Sequence, residues 1–235
     1  MKLSKLGLAA VIAVMAVLVR AVWFTPVEAL QGPAQKILYV HAPAAWVAFL
    51  AFGLVAICGA LYLWLRDPKL DLVAESSAEV GLVFTTVVLI TGPLWGKPIW
   101  GAYWTWDARL TLTLFLWFIY AGYVILRGAI EDRTMRARYS AVLGILGALL
   151  VPFIHLSVYL FRTLHPMPVL LKPSAPSMPR DMLVTLLSAF GAFTLLYAWL
   201  LRERYRLAVA REAAASAAAL DGARAARAHD ARALA

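Results

Sequence analysis

Residues 44–65 read AAWVAFLAFGLVAICGALYLWL, an unbroken apolar run without a charged side chain. At 1.5 Å per residue, a helix needs about 20 such residues to cross a hydrocarbon layer about 30 Å thick. Further long apolar runs, most with a charged residue at or near one end, lie at about 6–24, 79–95, 109–127, 139–160 and 181–201. In lipid every backbone polar group must be satisfied within the protein, so only helices and closed barrels cross it. These runs are too long and too uniformly apolar for barrel strands. The sequence predicts an all-α, polytopic membrane helix bundle of about six transmembrane helices.

Composition agrees. The 235 residues are 63% hydrophobic and only 15% charged, where a soluble domain carries about 25% charged residues. The net charge of +9 is no sign of nucleic acid, because the basic residues cluster at run ends and in the tail, where topology explains them. Cys58 is the single cysteine. It can form no intrachain disulfide and belongs to no CxxCH, which excludes the usual covalent c-type haem attachment to this chain. The start, Met1 to Lys5 and then apolar residues to Phe24, resembles a secretory signal. Its apolar part exceeds the usual 7–15 residues of one, so it is read as a first spanning helix. Arg20, near its outer end, can snorkel to the headgroups.

Basic residues orient the chain. Lys2 and Lys5, Arg66 and Lys69, then Arg127, Arg133, Arg136 and Arg138, and finally Arg202, Arg204 and Arg206 all fall on one side. The opposite connections are poorer: Lys36 in the first, Lys97 and Arg109 in the third, Arg162, Lys172 and Arg180 in the last. Both termini are expected in the cytoplasm. Residues 1–201 form the expected membrane domain. Residues 202–235 form an Ala/Arg-rich cytoplasmic tail. Its composition permits a helix, but it lacks an apolar stripe and is expected to be solvated and partly disordered.

This orientation gathers three features on the outer face. His41 lies just before the second span and His165 just after the fifth. Between them comes a loop, residues 93–109, holding Trp95, Trp100, Trp104 and Trp106 and closing on Asp107 and Arg109. Pro43, Pro93, Pro98 and Pro166 are expected to mark helix ends there. Tryptophan is enriched at any membrane interface, so an interfacial belt is one reading of the loop. A platform of indole faces for a planar, apolar ligand is the other. Gly96 and Gly101 permit close backbone approach. Asp107 near lipid needs a partner, either Arg109 or loop amides.

Of the four histidines, His229 sits in the tail and is expected to be solvated. His155 lies within the fifth span, where an interhelical hydrogen bond and a functional role are both open. It is ten residues from His165, about 15 Å along a helix, so the two cannot grip one metal from opposite sides. His41 and His165, from two helix tips on one face, are candidate axial ligands for a haem iron. Haem carries two propionates, and Lys97, Arg109 and Arg162 are candidate cations for them.

The stretch Trp100-Gly101-Ala102-Tyr103-Trp104-Thr105-Trp106-Asp107 fits W-G-x-x-W-x-W-D, the signature of haem-handling proteins of cytochrome c maturation. Gly92 to Pro98, Asp107 to Thr111, Tyr39 to Ala45, Pro152 to Val158 and Thr163 to His165 resemble the haem exporter protein C (CcmC) family. The resemblance runs from about residue 35 to 200. It implies that His41 and His165 are axial ligands of a ferric, non-covalent haem b. It implies that Trp95, Trp100, Gly101, Trp104, Trp106 and Asp107 form the haem platform. It implies a place in a bacterial inner membrane with the site on the periplasmic side. The implied partners are the periplasmic haem chaperone CcmE, the small protein CcmD and the ABC transporter CcmAB. Pro166 and Met167 depart from the family's T-L-H-Q-G, and Leu160 and Phe161 stand where it often has a tryptophan pair.

No nucleophile–base pair or phosphate loop is evident, so the chain is not expected to be an enzyme. Three other classes are compatible with a six-span bundle: a cytochrome b-like redox subunit, which typically holds histidines deep in its spans, a secondary transporter of an amphipathic solute with a site near the midplane, and a scaffold subunit of an ABC complex that touches no ligand.

Overall fold

The computed structural model describes residues 4–168, 170 and 172–233. The side chains of 223 and 225–233 fall outside the described set, and with them the expectation for His229. The chain is a bundle of α-helices: α1 (Lys5–Val19), α2 (Leu38–Leu65), α3 (Pro68–Trp100), α4 (Ala108–Ala129), α5 (Arg133–Ala148), α6 (Leu150–Leu160) and α7 (Arg180–Ala233). Among the described residues, six helical stretches are long and apolar enough to cross a membrane, with α5 and α6 together forming one of them.

Short polar side chains start these helices. Ser4 accepts from the Gly7 amide, Asp67 from Lys69 and Asp132 from Met135, each satisfying an amide that the first helical turn leaves without a partner. Two left-handed residues stop them: Arg66, at φ 59°, after α2, and Gly101, at φ 77°, after α3. The Gly101 amide donates to the Lys97 carbonyl at 3.0 Å. The last turn of α1 widens into a π-turn over Arg20–Phe24. Lys36 gathers the carbonyls freed there, donating to Ala21, Thr25 and Pro26.

The helix α2 is central and packs against α3, α5 and α7, while α1 lies along α7. Gly81 lets α3 close on α2, since a Cβ there would sit 2.9 Å from the Cβ of Ala51. Phe52 stacks on Tyr120 with ring centroids 3.6 Å apart. At the end of the bundle opposite the histidines, buried Arg127 of α4 donates to Asp71 (2.6 and 2.9 Å) and Glu75 (2.8 Å) of α3.

Five expectations change. Helices α2 and α3 start or end beyond their apolar runs, so Pro43, Pro93 and Pro98 lie inside helices. His41 is accordingly in the first turns of α2, not before it. Trp95 and Trp100 stand on α3, and only residues 101–107 of the expected loop are non-helical. Flanking helical turns and neighbouring helices tolerate these prolines, as membrane bundles commonly allow. The fifth span breaks at Leu149, where Pro152 lacks the amide that Ala148 would receive and its ring pushes on that carbonyl. Finally, α7 runs on through the tail to Ala233. Ala and Arg favour helix, and its first turns beyond residue 201 are tied down by Arg204–Glu79 and by Glu212 with Arg133 (2.8 Å) and Arg136 (3.1 Å).

Candidate functional site

The starts of α2, α4 and α7 and the ends of α3 and α6 meet at one end of the bundle around a cavity of about 300 Å³. Its walls are mainly apolar. Helix α2 supplies His41, Trp46 and Phe49; α3 supplies Gly92, Trp95 and Trp100; Trp104 and Arg109 close it beside α4; His155 and His165 come from α6 and the segment after it.

His41 and His165 therefore line one cavity although 124 positions separate them in sequence. His41 Nδ1 lies 2.9 Å from Thr91 Oγ1, and its ring stands edge-on to Trp95 at 5.8 Å. His165 stands edge-on to Trp100 at 5.1 Å. Its Nδ1 is buried without a hydrogen-bond partner among the described residues, with Asp107 Oδ1 3.8 Å away. Burial first, then the nearby charge of Arg109, pushes the His165 imidazole down to about 4. It is thus a neutral ring at neutral pH, the form that can ligate a metal.

Asp107 joins two elements. It accepts from the Arg109 amide at 2.8 Å and the Leu110 amide at 3.3 Å, capping α4. It also accepts from the Leu164 amide at 2.9 Å and from the Thr163 hydroxyl, just before His165. Burial pushes its carboxyl upward, but the hydrogen bonds from Thr163 and these amides outweigh that and hold it below the ordinary carboxylate value. Of its two expected partners, the amides are the ones used. The Arg109 guanidinium turns instead to the carbonyls of Ile154 (3.2 Å) and His155 (3.0 Å), which fixes a cation in the cavity wall.

The tryptophans divide. Trp95, Trp100 and Trp104 line the cavity, and the Trp104 Nε1 is buried with no partner among the described residues. Trp106 is 76% exposed and touches the site through Trp104, ring to ring at 5.7 Å. Gly101 ends α3. Lys97 is exposed, donating to the Gly101 carbonyl at 2.9 Å and lying over the Tyr103 ring. Arg162 is exposed just outside the cavity. Sequence reasoning missed Thr91, Thr163 and Gln31, whose Oε1 accepts from Trp95 Nε1 at 3.0 Å. Only Thr163 carried a signal, its place beside the quoted His165.

The donor set fits a planar metal macrocycle. The imidazoles of His41 and His165 and the indoles of Trp95, Trp100 and Trp104 line one mainly apolar space, with the Arg109 cation in its wall. Fold and site together define a polytopic membrane helix bundle with an apolar, indole-walled cavity at one end. Residues 2–219 match the family model "Heme exporter protein C" (CcmC). The chain is 38% identical over 189 residues to "Heme exporter protein C" of Haemophilus influenzae, covering 80% of this chain and 77% of that one. It is 40% identical over 167 residues to the protein of that name from Bradyrhizobium diazoefficiens, covering 71% and 64%. It is 35% identical over 173 residues to a "Putative cytochrome c biosynthesis ccmC-like mitochondrial protein" of Marchantia polymorpha, covering 74% and 73%. The chain belongs to the heme exporter protein C family.

Proposed function

We propose that this protein holds haem for cytochrome c maturation, with His41 and His165 as the two axial ligands of a ferric, non-covalent haem b. The observation that carries the reading is the convergence of two imidazoles, one from the first turn of α2 and one from the segment after α6, on one tryptophan-walled cavity. Trp95, Trp100 and Trp104 hold the ring by apolar burial and edge contacts. Trp106 backs Trp104, Gly101 sets the turn between Trp100 and Trp104, and Asp107 fixes the segment that carries His165. Arg109 faces a propionate, with Lys97 and Arg162 at the mouth. The excess of basic residues at the opposite end supports cytoplasmic termini and a periplasmic site in a bacterial inner membrane. Residues 1–201 are the haem-handling unit, and 202–235 form a cytoplasmic extension.

The relatives' names support haem export and cytochrome c biosynthesis as the setting. The chain acts as a carrier rather than an enzyme: it captures haem, holds it and releases it to the chaperone CcmE. CcmD and the ABC transporter CcmAB supply the assembly and the ATP-driven work. The test is complementation of a strain lacking its own family member. Wild-type protein restores c-type cytochromes and purifies with haem, whereas His41→Ala and His165→Ala lose both while still inserting in the membrane. Normal haem content and maturation in both variants would overturn the proposal.

A further inference from the structure

We infer that Thr91 is a positioning residue that commits His41 to one tautomer and leaves its Nε2 as the metal-binding atom; this rests on the haem-binding reading above. Thr91 Oγ1 lies 2.7 Å from the carbonyl of Val87, one turn back on α3, and 2.9 Å from His41 Nδ1. A hydroxyl has a single proton to donate. The shorter contact takes it, as in the bonds of Thr85 and Thr86 to the carbonyls four residues before them, at 2.8 and 2.9 Å. What Thr91 offers His41 is then a lone pair, and Nδ1 must carry the hydrogen. A neutral imidazole has only one N–H. Nε2 is left with its lone pair free, and it has no hydrogen-bond partner among the described residues.

One turn of α3 fixes the ring from three directions. Thr91 holds Nδ1. Gly92 leaves room beside it, since a Cβ there would lie 3.3 Å from His41 Cε1. Trp95 meets it edge-on. A hydrogen bond to the non-ligating nitrogen orients a metal-binding histidine and raises the basicity of the other nitrogen, and its loss typically costs 10–100-fold in metal affinity. His165 lacks this support among the described residues: its Nδ1 has no partner there and its backbone is non-helical. The two imidazoles are therefore held differently, His41 through its ring from α3 and His165 through the backbone of the segment that Asp107 fixes.

The test titrates ferric haem b into detergent-purified protein and records its absorption spectrum, with Thr91→Val, Thr91→Ser and His41→Ala in parallel. Valine keeps the shape and removes the hydroxyl. Thr91→Val is expected to weaken haem binding 10–100-fold and to lower the low-spin fraction, and Thr91→Ser to restore both. Nitrogen NMR of the haem-free protein should find the His41 proton on Nδ1 in wild type and a mixture of tautomers in Thr91→Val. Wild-type affinity in Thr91→Val, equal damage in Thr91→Ser, or a proton on Nε2 in wild type would each overturn the inference. If His41→Ala itself binds haem normally with an unchanged spectrum, the haem-ligand reading fails instead.

Discussion

Replacing Asp107 with Ala should free the segment that carries His165. Four donors converge on this carboxylate: the amides of Arg109, Leu110 and Leu164 and the hydroxyl of Thr163. Losing the cap of α4 costs about 1 kcal/mol. Each bond to the charged acceptor is worth about 1.5–3 kcal/mol, and those from Leu164 and Thr163 are what bind the segment after α6 to the start of α4. A factor of ten corresponds to about 1.4 kcal/mol, so the Leu164 amide should lose roughly 10- to 100-fold of its protection from hydrogen exchange. Asp107→Asn keeps an acceptor oxygen and the capping preference, so its loss should stay below about tenfold. The assay is site-resolved hydrogen exchange on haem-free protein in nanodiscs, comparing Leu164 with an amide in the middle of α2. Unchanged exchange at Leu164 in Asp107→Ala would refute the idea that this carboxylate joins the two elements.

Arg127 is 7% exposed and holds Asp71 and Glu75. Arg127→Ala strands two carboxylates at a cost of about 3–5 kcal/mol, which should lower the unfolding midpoint by roughly 6–20 °C at 2–4 °C per kcal/mol; a shift under 2 °C would contradict it. The His165 ring, pushed down to about 4, should titrate by NMR near that value in the haem-free protein. An unfolded histidine binds its proton near 6.5, so this burial makes the folded state lose stability as pH falls from about 6.5 toward 4. A midpoint near 6.5 would mean that His165 is solvated. For Asp107 the sign is the usual carboxylate one: its folded value is depressed, so its contribution is complete above about 3.9 and is lost as pH falls below that. Exchange at Leu164 should stay flat from pH 7 to 5, once corrected for the intrinsic rate, and rise only in stronger acid.

The bundle was legible because lipid imposes one rule, apolar length, and the six runs state it plainly. The pairing of His41 with His165 was legible for the same reason: counting spans puts both on one face. The prolines misled, since Pro43, Pro93 and Pro98 signal helix ends in water, whereas here helix continues on both sides of each. The shortened loop follows from that. Which tryptophans face inward depends on how the extended stretch 101–107 lies against the bundle, so nothing in the spacing separates lining Trp104 from exposed Trp106. Thr91 was invisible because a threonine in an apolar run commonly bonds its own helix, and this one does that as well as meeting His41. The continuation of α7 rests on Glu79 and Glu212 finding arginines across elements, pairings that a single tail sequence cannot announce.

The claim that His41 and His165 share one iron is tested most directly by electron paramagnetic resonance of the haem-loaded protein. Wild-type protein should give the low-spin ferric signal of two imidazole ligands. His41→Ala and His165→Ala, each alone, should convert it to a high-spin signal. A low-spin signal that survives either replacement without added ligand would contradict the shared-iron clamp.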